Sequence, residues 1–244
     1  MPAVRSPRRS VVSLSQWSAL QRAIETCDRC PRLRKHCQAI GETRRAAYRD
    51  QRYWSRPVPN FGDPSARLLI LGLAPGAHGA NRTGRLFTGD KSGDFLFAAM
   101  HAEGFCNQPT SVHRADGLRL IDCLITGAAH CAPPGNKPTP REIENCRPFL
   151  DQTIDAMPGL RSGGGILVLG KIAFDAALAY YKRREWLAAD APRPKFAHGA
   201  LFRFPAAPFL LCTYHPSQQN TFTGKLTQPM LRAVFAAARA QLER

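Results

Sequence analysis

Four short apolar runs, separated by segments with helical periodicity, restrict this chain to a small set of folds. The runs are Arg67–Leu73 (RLLILGL), Leu118–Thr126, Ile166–Leu169 and Phe209–Thr213. Short apolar runs bounded by turn residues read as strands buried on both faces. Between and around them, Trp17, Leu20 and Ile24 predict a helix over Leu14–Glu25, ending near Cys27. Further helices are expected over Ser92–Ala102, after Thr139, from the end of the third run through Lys182, and over Thr227–Glu243. Thr139 carries Pro140 at the first helical position and Glu142 three residues on, a capping box. Strands alternating with helices imply an α/β fold, a single domain with a central, mostly parallel sheet and helices on both faces. Residues 1–12 read as a disordered basic tail and residues 13–244 as that one domain.

Ligands of such sheets bind beyond the carboxyl ends of the strands. Two polar, glycine-bearing loops fall there: Ala74–Asp90 after the first strand and His215–Gly224 after the last.

Charge narrows the class of ligand. Lys and Arg number 34 against 18 Asp and Glu, a formal net charge of +16. Such an excess calls for a polyanion, and nucleic acid is the usual one. The stretch from Arg32 to Pro64 interleaves arginines with Tyr48, Tyr53, Trp54 and Phe61 without a clear period, a pattern that suits either a nucleic-acid surface or an ordinary excursion. No apolar run approaches the roughly 20 residues of a membrane span. No apolar segment follows the basic start as in a secretory signal. A cytoplasmic, nucleoid-associated monomer without membrane contact is expected.

Eight cysteines in a reducing compartment point to metal ligation or core packing rather than disulfides. Cys27 and Cys30 form a C-x2-C pair at a predicted helix end. Cys131 and Cys146 lie 14 residues apart across a connection stiffened by Pro133, Pro134, Pro138 and Pro140. Four thiolates from two distant segments suit tetrahedral zinc or a [4Fe–4S] cubane, and spacing does not choose between them. Cys123 and Cys212 sit within apolar strands and read as core; Cys37 and Cys106 have no assigned place.

The segments GLAPGAHGANRTGRLFTGD (72–90) and HPSQQNTFTGKLT (215–227) resemble the paired signature motifs of family 5 uracil-DNA glycosylases, in the iron–sulfur branch shared with family 4. The resemblance extends through RPVPNFGDP (56–64), CAPPGNKPTP (131–140) and the C-x2-C pair. It implies a [4Fe–4S] cluster on Cys27, Cys30, Cys131 and Cys146. It also implies a monofunctional enzyme of base excision repair acting on double-stranded DNA, with single-stranded DNA left open.

Such chemistry expels a base from the duplex and holds it in a tight pocket. Fixed donors then stabilise the charge on the departing base. His215 follows the last strand and matches the histidine of the family's HPS motif, a donor to the leaving base. Phe87 matches the aromatic that stacks on the flipped base. Gly72, Pro75 and Gly76 shape the turn so that backbone amides face the base, and Ala74 and Gly127 are further base-binding positions. Ser217 and the segment Gln218–Gly224, with Gln218 and Asn220, resemble the DNA-intercalating loop, and Lys225 and Arg85 are candidate phosphate contacts. No lysine acts as an obvious Schiff-base nucleophile, since Lys91 and Lys225 border the loops.

Two departures stand out. Better-known relatives carry an Asp where this chain has Ala74, so water handling falls to Asn81, with Asp90 and Asp94 the next acids. Related enzymes often read uracil with an Asn where this chain has Gly127, which implies looser discrimination that extends to hypoxanthine and ethenocytosine. The same two positions favour the alternative, a non-catalytic iron–sulfur protein that binds damaged DNA. A zinc-stabilised RNA-binding protein is a third reading.

Overall fold

The structure is a computed structural model that describes residues 13–244 apart from Ala189 and Ala191. The expected tail, residues 1–12, lies outside the described residues. The chain opens with α1 (Leu14–Glu25), whose capping box joins Ser13 and Gln16, and α2 (Pro31–Thr43). It continues through β1 (Phe61–Gly62), β2 (Leu68–Gly72), α3 (Ala80–Thr83), α4 (Lys91–Ala102) and β3 (Cys123–Gly127). The second half runs α5 (Pro140–Asp155), β4 (Gly165–Leu169), α6 (Lys171–Arg183), β5 (Leu201–Phe202), β6 (Phe209–Thr213), α7 (Gln218–Phe222) and α8 (Gln228–Leu242).

One six-stranded sheet has the order β1-β3-β2-β4-β6-β5. Its four central strands are parallel, and the two-residue strands β1 and β5 close the edges antiparallel. Alternation along each strand separates two cores. Leu69, Leu71, Leu124, Ile166, Val168 and Leu210 face α1, α5 and α6. Leu68, Ile70, Ile125, Leu167, Leu169 and Leu211 face α4 and α8. All five residues of each central strand are buried, which explains runs without polar alternation.

The expected second strand was too long. Leu120 pairs in an isolated antiparallel bridge with Cys106, and the sheet strand begins only at Cys123, after Asp122 at φ +52°, whose carboxylate accepts from the backbone N–H and guanidinium of Arg67. The helix α2 was not foreseen. Its buried stripe is only Leu33 and Cys37, and a cysteine gives no periodic signal among charged neighbours. The capping box at Thr139 forms as expected, with Glu142 returning to the Thr139 N–H at 2.8 Å.

Phe235 is fully buried where α8 meets α4, with Phe105 at 5.6 Å. Phe235→Ala should lower stability by about 3–5 kcal/mol in urea unfolding. A loss below about 1 kcal/mol would mean that this face is not packed as described.

Candidate active site

Because the central strands are parallel, their carboxyl ends lie along one edge. Gly72 and Gly127 pair across β2 and β3 at that edge, and Gly170 donates to Thr213 at 2.8 Å beside them. His215 follows two residues after β6.

Phe87 comes back over this edge from the first loop. It adopts φ +51°, and its ring edge lies on Gly72, where an added Cβ would stand 2.9 Å from the Phe87 ring. Glycine at 72 is therefore what lets the aromatic ring rest on the strand end. The Phe87 and His215 rings face one another with centroids 5.9 Å apart and planes tilted by 34°. Burial holds the His215 imidazole down to about 4, so it is neutral near pH 7. Asn220 turns its amide inward and donates to the His215 carbonyl at 2.8 Å. It thus supports the histidine's backbone, in addition to its expected place in the DNA-facing loop. Ser217 caps α7, accepting from the Asn220 N–H, while Gln218 is exposed. Lys225 is exposed and stands 4.9 Å from the Tyr214 ring centre.

Asp90 caps α4 through the Gly93 N–H at 2.9 Å. Its carboxylate also lies against the first loop, where an added Cβ on Gly79 would come 1.8 Å from Oδ2 and one on Gly76 2.9 Å. Burial raises its pKa, opposed by the Gly93 and Ser92 amides. Asn81 is 0% exposed; its Nδ2 donates to the Cys37 carbonyl at 3.2 Å, and its Oδ1 has no partner among the described groups. Ala74 is half-buried in the same loop. Gly127 is sterically required, since a Cβ there would stand 2.6 Å from the Ala129 carbonyl oxygen. The asparagine of related enzymes does not fit this backbone without a shift.

Arg85, expected as a phosphate contact, is buried and engaged within the protein. Its side chain and that of Asp116 are 5% and 8% exposed and pair at 2.7 Å. The guanidinium also donates to Thr88 and Ser111. This ion pair holds Asp116 well below the usual carboxylate range, chiefly against desolvation, and ties the segment around Ser111 to the first loop. Nothing in the spacing of 85 and 116 could have announced that pair.

The structure also places two residues that carry no role of their own in the sequence. Phe222, within the segment that resembles the intercalating loop, stands at the end of α7 and is 77% exposed in an otherwise polar turn. Cys37 was left unplaced, yet it lies beside Cys131, its thiol donating to the Ala132 carbonyl at 3.6 Å.

Of the four expected ligand cysteines, Cys27 and Cys30 lie in the α1–α2 turn, Cys131 in the loop after β3 and Cys146 within α5, and Cys146 is near enough to the other three for their charges to be felt. Asn145 links α5 to the α1–α2 turn by donating to the Arg29 carbonyl and to the Cys30 sulfur. Burial, then Cys30 and Cys27, push the Cys146 thiol up to about 11, while the His130 backbone N–H opposes them. Among the described residues no three Cys, His, Asp or Glu side chains close on a single ion.

The family model described as the uracil DNA glycosylase superfamily matches residues 59–239. The chain is 48% identical over 228 residues to the type-5 uracil-DNA glycosylase of Mycobacterium bovis, covering 93% of this chain and 81% of that protein. It is 43% identical over 221 residues to the type-5 uracil-DNA glycosylase of Thermus thermophilus, covering 91% and 96%. The type-4 uracil-DNA glycosylase of Pyrobaculum aerophilum is 29% identical over 218 residues, covering 88% and 87%. The chain belongs to the uracil-DNA glycosylase superfamily and, within it, to the type-5 branch.

His130 is fully buried, its Nδ1 2.8 Å from the Val58 carbonyl, and burial holds it down to about 4. A histidine kept neutral in the fold but free to protonate when unfolded costs stability as pH falls below the unfolded value. Thermal stability should therefore decline between about pH 6.5 and pH 4, with His130 contributing about 3 kcal/mol when both limits are reached. His130→Gln should flatten that decline. An unchanged slope would remove His130 as its source.

Proposed function

We propose that this protein hydrolyses the N-glycosidic bond of uracil in DNA, the first step of base excision repair. The observation that carries the reading is the pairing of Phe87 and His215 across the strand ends, 5.9 Å apart. The flipped base stacks on Phe87. As the bond between C1′ and the base nitrogen breaks, its electron pair leaves with the base, and water adds its oxygen to C1′ and loses a proton, which the departing base anion takes up to leave as the neutral base. Neutral His215 donates a hydrogen bond to the base carbonyl, where negative charge develops. A half-buried donor whose backbone carbonyl is held by Asn220 needs little reorganisation as that charge appears.

Asn81 orients the water. A buried acceptor without a partner costs about 1–3 kcal/mol, and a water molecule bound to Oδ1 relieves that cost. An amide orients the water without removing its proton. Asp90 serves as the cap and the wall of the loop. With no side chain at Gly127 to read the base edge, hypoxanthine and ethenocytosine are accepted as well as uracil. The reaction is monofunctional: of the two lysines that border the loops, Lys91 pairs with Asp94 at 3.2 Å and Lys225 lies over the Tyr214 ring.

Cys27, Cys30, Cys131 and Cys146 hold a [4Fe–4S] cluster. The C-x2-C pair, the family resemblance and the mutual influence of Cys146 with Cys27, Cys30 and Cys131 support this reading. Bound there, it supplies a structural tie and takes no part in the hydrolysis.

Purified protein should release uracil, hypoxanthine and ethenocytosine from duplexes, scored as alkali-labile sites. DNA binding without any release would leave the non-catalytic damage binder as the reading. His215→Ala should slow single-turnover release by about 10²-fold or more; an unchanged rate would remove His215 from the chemistry. Exposed Phe222 is the wedge that fills the gap left by the base. Phe222→Ala should slow release from duplex far more than from single-stranded substrate, where no stack must be broken. Equal losses on both would reject the wedge.

A further inference from the structure

The basic, aromatic stretch between α2 and β1 is absorbed by none of the chemistry above. It borders two hollows. One, of about 570 Å³, is lined by Arg52, Tyr53, Trp54, Arg56, Arg82 and Thr83. The other, of about 550 Å³, shares Arg56 and continues along Arg34 and Lys35 of α2. Arg82 and Thr83 belong to α3, inside the first signature loop, so the first hollow is built on the wall of the candidate active site. Three bonds fix that junction: Trp54 N–H to the Arg82 carbonyl at 2.9 Å, Ser55 N–H to the Asn81 carbonyl at 3.0 Å, and Tyr53 Oη with His78 Nδ1 at 3.0 Å.

The charges at this surface divide into fixed and available ones. Arg82 is committed to His78, Gln51 and Gly89. Lys35, Arg52 and Arg56 are exposed and form no ion pair among the described residues. The acids of the second hollow are Glu25, which Arg114 engages at 3.6 Å, and Asp28. The aromatics do not offer a platform for bases. Trp54 already carries the Arg56 and Arg114 guanidinium groups at 4.0 and 4.7 Å, and Tyr48 carries Arg82 at 3.9 Å. Their rings hold arginines in position. A surface of positioned cations with its rings occupied suits a sugar–phosphate backbone read without regard to sequence.

We propose that Lys35, Arg52 and Arg56 form a second DNA contact, which takes the phosphates of the strand flanking the excised nucleotide and leads it past α3. This rests on DNA being the substrate, and it adds a surface distinct from the turn that bears Phe222. The contact is electrostatic and acts on binding, not on bond cleavage.

The test uses the full-length protein with a duplex of about 25 base pairs bearing a tetrahydrofuran abasic analogue, and the variant Lys35→Gln/Arg52→Gln/Arg56→Gln. Anisotropy titrations across a range of KCl concentrations give log Kd against log salt. The variant should show a slope shallower by about 2–3, since each lost phosphate contact removes about 0.9. Single-turnover uracil release at saturating enzyme should remain within about twofold of the parent. Lys35→Gln/Arg52→Gln, which leaves the Trp54 stack intact, should show about two-thirds of the slope change. Identical slopes for parent and variants would overturn the contact. So would a fall in the saturating rate with the slope unchanged, because the residues would then act through the loop. Failure of the glycosylase reading would appear separately, as no base release by the parent, and the binding slopes would still be measurable.

Discussion

A sheet buried on both faces has no water to satisfy its backbone, so every strand must find partners on its edges, and the rest of this molecule follows from how that is met. β2 and β4 are each flanked by parallel partners, and the two-residue strands β1 and β5 occupy the remaining edges. Parallel pairing needs helical crossovers, which cover both faces with α1, α5 and α6 on one side and α4 and α8 on the other. It also brings the carboxyl ends of β2, β3, β4 and β6 to one edge. Gly72, Gly127 and His215 are neighbours for that reason, although 143 residues separate the first from the last.

Around that edge, polar groups are spent mostly on holding the loops. Asn220 fixes the His215 backbone, Asp90 fixes the start of α4 and the wall of the first loop, and Arg85 with Asp116 fastens the neighbouring segment. Few side chains are left over: the neutral imidazole of His215, the Phe87 ring and the Oδ1 of Asn81. A pocket with few free polar groups suits an uncharged planar base better than a phosphate. Asn81 also bonds to the Cys37 carbonyl, so the helix that follows the cysteine pair bears directly on the first loop. The cysteine region and the candidate site share a wall.

Much of this was legible beforehand, and for physical reasons. Strands buried on both faces give uninterrupted apolar runs, which located β2, β4 and β6 within a residue or two. Caps are local, so Thr139 with Pro140 and Glu142 marked the start of α5. The two loops were legible because strand ends in parallel sheets are where ligands bind and because their residues match a known motif pair. Failures came where the deciding partner was remote. Arg85 reads as a free cation until Asp116 arrives from 31 residues away. Asn220 reads as a loop donor until the turn of α7 points it at His215.

The sequence by itself determined the α/β class, the family resemblance, the four candidate ligand cysteines and the two loops. Each depends on local composition, spacing or contiguous motif. Only the tertiary structure decided which groups within those loops are free and which are committed. It alone showed that Gly127 is demanded by the Ala129 carbonyl, that Cys37 adjoins Cys131, and that Phe222 stands in solvent. Those are facts of burial and close approach between distant segments, which no single stretch of chain encodes.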